Sequence, residues 1–113
     1  MSRLSRNVDI VLSTATNIAT TLDLRDVAYG VVQFGTMSVD ATSLKMLVSS
    51  SSSGTYAPLY KADGNAVALT LAPSTTEGRA YALPDQVLGT QYLKIVSNDT
   101  NSTGVSGVVT LKS

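Results

Sequence analysis

Few residues in this chain could do chemistry, and no two of the candidates lie at a spacing that chemistry requires. Histidine, cysteine and tryptophan are absent, which removes imidazole bases, thiol nucleophiles and most zinc sites together. Paired carboxylates can cleave glycosides, but Glu77 is the sole glutamate and stands in a polar stretch. The aspartates fall mostly at strand ends and turns, where a short carboxylate bonds local backbone. Asp63-Gly64-Asn65 lacks the further acidic spacing of a calcium loop and reads as a tight reversal. The serine run Ser49 to Ser53 before Gly54 reads as a strand connection, since a Ser-Lys nucleophile needs a burial that no serine tract implies. Asn98-Asp99-Thr100 and Asn101-Ser102-Thr103 match the glycosylation sequon and read as turn composition. The expectation is a protein that is not an enzyme and needs no cofactor or metal.

Binding is the remaining class of function. Tyr56 and Tyr60 lie four apart in an extended segment, a spacing that puts both on one face of a sheet. Such a pair can stack on sugar rings or meet a partner, and it can equally pack locally. The formal charge is zero, so the concentrated basic surface that nucleic acid demands is missing. Arg3 and Arg6 make the first residues mildly basic. No apolar run approaches the roughly 20 residues that cross a bilayer. The N-terminus MSRLSRNVD lacks the apolar core of a signal peptide. Together with the absence of cysteine, this points to synthesis in a reducing cytoplasm.

The elements that must position these residues read as strands. A chain of 113 residues is one domain in size, and its β-branched residues with Gly, Asn and Asp punctuation favour an all-β class. Val8, Ile10 and Leu12 alternate with Asp9, Val11 and Ser13; Leu44, Met46 and Val48 alternate likewise, as do Val67, Leu69 and Leu71. The stretches 43–49, 55–61 and 67–71 predict an antiparallel meander. Further strands are expected around Leu22–Leu24, Ala28–Phe34, Arg79–Leu83, Gln91–Val96 and Val105–Lys112. Gly30 inside a strand predicts a bulge or a close backbone approach. Phe34 is the only phenylalanine and a core anchor, with Met37 and Val39 capping one end of the core. Pro84 followed by Gly89 predicts one helical turn. The result is a single antiparallel β-sandwich, jelly-roll-like, of about eight strands. Residues 1–20 form an N-terminal arm and first edge strand, with Met1–Asn7 as the arm, and residues 21–113 form the body.

Three stretches carry a resemblance: DLRDVAYGVVQF (Asp23–Phe34), SSGTYAPLYKADGNAV (Ser52–Val67) and RAYALPDQVLGTQYLKIVS (Arg79–Ser97). In this order they resemble small virion-associated β-sandwich proteins of tailed bacteriophages, with Lys61 where that group usually has an acidic residue. The resemblance implies a capsid cement or decoration protein that binds the major capsid protein shell and stabilises it, often as a trimer. It implies a structural protein on the virion capsid surface, made in the host bacterial cytoplasm, with no nucleic-acid or membrane partner. The partner-binding residues expected are Arg3, Arg6, Val8 and Ile10 from the N-terminal segment, with Tyr56 and Tyr60. An alternative is a tail or capsid-surface module that recognises host glycans through the two tyrosines.

Overall fold

The computed structural model describes residues 5–12, 19–35, 43–72, 76–97 and 105–113. Met37 and Val39, expected to cap the core, lie outside them, as do Arg3 and both sequons. Among the described residues no helix is long and apolar enough to cross a membrane.

Nine strands form among the described residues: β1 (Ser5–Leu12), β2 (Thr21–Asp23), β3 (Tyr29–Phe34), β4 (Ser43–Ser49), β5 (Ala57–Pro58), β6 (Ala68–Thr70), β7 (Arg79–Ala82), β8 (Tyr92–Ser97) and β9 (Val105–Lys112). One 3₁₀ turn, Asp85–Gly89, follows Pro84, whose fixed φ suits a helix start. All pairs are antiparallel, in two sheets ordered β1-β9-β3-β7 and β2-β8-β4-β5, with β6 also on β4. The alternating residues of each strand meet between the sheets. Ile10, Leu12, Leu22, Val32, Phe34, Leu44, Met46, Leu93, Ile95, Val109 and Leu111 are all buried there. Burying these side chains at about 1.5–3 kcal/mol each is what opposes the entropy of ordering the chain.

Two details differ from the sequence expectation, and a third decides between two alternatives it left open. First, 43–49, 55–61 and 67–71 are not a meander. Leu47 faces Pro58 while Lys45 faces Ala68, so β5 and β6 lie along the same edge of β4 as two halves of one strand. Between them Leu59 and Val67 close on each other, Val67 N–H donating to the Leu59 carbonyl at 2.8 Å, and the intervening residues project as a hairpin. Gly64 turns its tip with φ +90°, a conformation open to glycine at little cost. Counting β5 and β6 as one strand gives eight, and the sheet orders become first-last-third-sixth and second-seventh-fourth-fifth. That is the order of a jelly roll.

Second, β1 begins at Ser5, so Ser5–Asn7 belong to the sheet and not to a free arm; each pairs with β9, Ser5 with Lys112 and Asn7 with Thr110. Ser5 and Asn7 are stable there because their side chains lie outside the core, and Arg6 because its guanidinium finds the Asp23 carbonyl. Third, Gly30 marks a close approach. Its register with β9 runs without a bulge, and a Cβ at this position would strike Leu83, which is buried against it.

Candidate functional site

The surface of the sandwich is unequal. On the outer face of the β2-β8-β4 sheet, the outward apolar residues are covered by the chain itself. Leu47 and Val96 are buried with Ala19, and Tyr56 packs on them. The Tyr56 hydroxyl donates to the Ser52 carbonyl at 3.0 Å, and Lys94 Nζ stands 4.5 Å from the ring centroid. Arg25 lies 5.3 Å over the Tyr92 ring on the same sheet. Such cation–π contacts hold long side chains down over an apolar patch.

On the outer face of the β1-β9-β3-β7 sheet, no such cover is found among the described residues. Val11, Tyr29, Val31 and Val108 are exposed at 46%, 70%, 41% and 36%, and all four lie on this one face. They account for four of the five exposed large apolar residues among those described, the fifth being Tyr60. Asp9 and Lys112 are the charged side chains that β1 and β9 place on it. Between β1 and β3 the face sinks into a shallow depression of about 510 Å³ beside Gly35, Gly78 and Ser106, with Val11, Val108 and Gln33 around it.

Among the described residues, the same sheet ends in an open edge. β1 pairs with β9 on one side, and no described strand pairs with the other. Leu83 N–H donates to the Gly30 carbonyl at 2.9 Å, which turns the even residues of β3 towards β7 and the odd ones towards β9. Carried across β9 by the alternation of antiparallel ladders, this leaves Ser5, Asn7, Asp9 and Val11 with N–H and C=O directed outward from β1. A free row of backbone donors and acceptors is a template for another strand.

The residues expected to bind a partner fall into different places. Arg6, Val8 and Ile10 occupy the inward-facing positions of β1. Ile10 is 3% exposed in the core and Val8 packs against that core, so the surface β1 offers is its other face. Arg6 reaches across to the second sheet, where its guanidinium donates to the Asp23 carbonyl at 2.6 Å, while its Nε is buried without a partner. Tyr56 is engaged by Lys94 and Ser52. Tyr60 is 59% exposed on the projecting hairpin, bridged to Ala66. Sequence reasoning missed Asn7, Asp9 and Val11 as the outward set. The signal was present in the period-2 pattern, because fixing Val8 and Ile10 inward fixes their neighbours outward.

Two acidic groups, Asp23 and Asp63, are committed to local structure. Asp23 accepts two bonds from the Arg25 guanidinium, at 2.7 and 3.0 Å, and one from the Arg25 N–H at 3.1 Å. Those side-chain bonds, then the backbone bond, lower its pKa to about 2; the side-chain bonds, then the charge of Asp23, raise that of Arg25. Asp63 is lowered by the Asn65 backbone N–H, 2.9 Å from its Oδ1. This is turn chemistry, as its sequence suggests. Among the described residues no three acidic side chains converge as metal ligands would.

Comparison of the chain with protein-family models, with curated proteins and with solved structures returned no match.

Proposed function

We propose that this protein is a non-enzymatic structural component of a virion, a cement or decoration protein that binds the major capsid protein shell and stabilises it. The observation that carries the reading is the open edge of β1, eight residues long, beside a sheet face that leaves its apolar side chains bare. Natural sheets usually blunt an edge of that length with charge, proline or a covering segment. Here the outward positions are Ser5, Asn7, Asp9 and Val11, with a single charge among them. The edge is therefore suited to accept an extended segment of the shell by strand addition, in which backbone bonds supply affinity. With no net charge, long-range steering is weak and attachment depends little on salt. The sequence resemblance supplies the biological setting; the edge supplies the means.

Asn7→Pro tests it. The Asn7 N–H points away from β9, so proline removes no ladder bond within the chain, and edge strands tolerate it. The fold loses the bond from Thr110 Oγ1 to Asn7 Oδ1, worth about 1 kcal/mol, and stays folded. An incoming strand, however, meets a pyrrolidine ring where it needs a donor. The expected result is that wild-type protein sediments with intact shells at a fixed copy number and the folded variant does not. Equal occupancy by the variant would refute strand addition. Absence of wild-type binding to shells, with reproducible glycan binding that disappears in Tyr60→Ala, would replace the whole reading by host-glycan recognition.

A further inference from the structure

Asp9 and Lys112 stand on the same bare face and form no ion pair with any described residue. Asp9 lies opposite Val108, and Lys112 lies four residues further along β9, opposite Ser5. On the β lattice, with about 3.4 Å per residue and about 4.8 Å between strands, the two are about 14 Å apart. That is too far for a contact within one chain. We propose that this face binds a second copy of the chain, stacked about a two-fold axis that sets Asp9 of each copy against Lys112 of the other.

A second copy is the occupant that answers both charges with one operation. A strongly acidic or basic partner would satisfy one of them and oppose the other. In an isologous contact, residue i meets j and j meets i, so one acid and one base on a neutral face are self-complementary.

The same operation can be checked against sheet geometry. The line from Lys112 to Asp9 leans about 20° from the strand direction on that lattice, and a two-fold axis across it doubles the lean into a crossing of about 40° between the stacked sheets. Its sense follows from chirality. When an L-residue in a rising strand faces the viewer, its N–H and C=O point right. Val31 and Gln33 bond towards β9, so from outside, with β1 rising, the order from left to right is β7, β3, β9, β1. Lys112 then sits below and to the left of Asp9, and the nearer sheet is turned clockwise, a crossing of about −40°. Aligned sheets in β-sandwiches pack at about −30° because of their intrinsic twist. The charge pairing therefore demands nearly the angle that twisted sheets adopt when they stack. It also lays Tyr29, the most exposed of the apolar residues, over Val108 of the second copy. The face measures about 20 by 25 Å, so a stacked pair covers about 1,000 Å², the lower end of specific interfaces. An interface of that size suits a weak, reversible dimer.

The contact uses the face of the sheet and leaves the β1 edge free, so it is independent of shell attachment and is tested on the purified chain alone. Sedimentation velocity from micromolar to near-millimolar concentration is expected to show a monomer–dimer equilibrium. Asp9→Lys and Lys112→Asp each convert two attractive pairs into like-charge pairs and are expected to weaken the dimer at least about tenfold. The double reversal is expected to restore it to within about threefold. Circular dichroism establishes that each variant is folded, and Tyr29→Ser, which alters no charge, gives a second reading of the same face by weakening the dimer. A monomer at every concentration, a trimer, a single reversal that leaves the constant unchanged, or a folded double variant that stays monomeric would each overturn the proposal.

Discussion

Gly107→Ala is the sharpest test of how the core is assembled. Gly107 sits on β9 opposite Ile10 on one side and Phe34 on the other, and the Cδ1 and Cε1 atoms of the Phe34 ring come close to it. A methyl group there would stand 2.5 Å from both Cδ1 and Cε1 of Phe34 and 2.9 Å from the Gln33 carbonyl oxygen. Carbon atoms at rest keep about 3.5–4.0 Å apart. The ring is 2% exposed and hemmed in by the core, and the Gln33 carbonyl belongs to the strand bonded to β9, so neither can retreat freely. Overpacking of this kind costs about 1–3 kcal/mol. Less flexible backbone in the unfolded chain returns under about 1 kcal/mol. The net loss of about 1–2 kcal/mol lowers the melting temperature by about 5–10 °C for a chain of this size. Thermal melts followed by circular dichroism read it directly. Phe34→Leu in the Gly107→Ala background removes the ring contact but not the carbonyl contact. The two changes should therefore couple favourably by about 1 kcal/mol in a double-mutant cycle. A Gly107→Ala protein that melts at or above the wild type, or strict additivity of the pair, would refute the packing argument.

Two further outcomes follow from the turn and the surface. Gly64→Ala meets no atom within 4 Å, so its cost is purely that of φ +90°, about 1–2 kcal/mol by urea unfolding; Gly89→Ala, with equal space and no positive φ, should stay within about 0.5 kcal/mol of wild type. Asp23 has a folded pKa of about 2 against an ordinary value of 3.8. The stability it contributes is therefore present in full above pH 4 and lost as pH falls towards 2. Arg25→Gln removes the cause, so the gap in urea midpoint between wild type and variant should close between pH 4 and pH 2. A gap that holds constant through that window would show that the pair adds nothing to the fold.

The alternation of Leu44, Met46 and Val48, of Val67, Leu69 and Leu71, and of Val109 and Leu111 determined by itself which side of each strand is buried. A period of two allows only one apolar face, and every one of those residues packs in or against the core. Asp63-Gly64 and Pro84…Gly89 likewise determined a reversal and a helical turn, because φ is set by the residue itself. What the tertiary structure decided is everything that depends on which strand lies beside which. Two apolar runs separated by a tight turn look like neighbours, yet both 57–58 and 68–70 run along β4, whose edge they pair between them along its length. Ser5–Asn7 look like a solvated tail until β9, a hundred residues later, pairs with them. Gly107 has no local reason to be glycine; Phe34 supplies it from another strand. The bare face and the open edge of β1 are invisible in the chain for the same reason. A residue's exposure is set by its own polarity only on average, and in a sheet it is set by whether a distant segment lies across it.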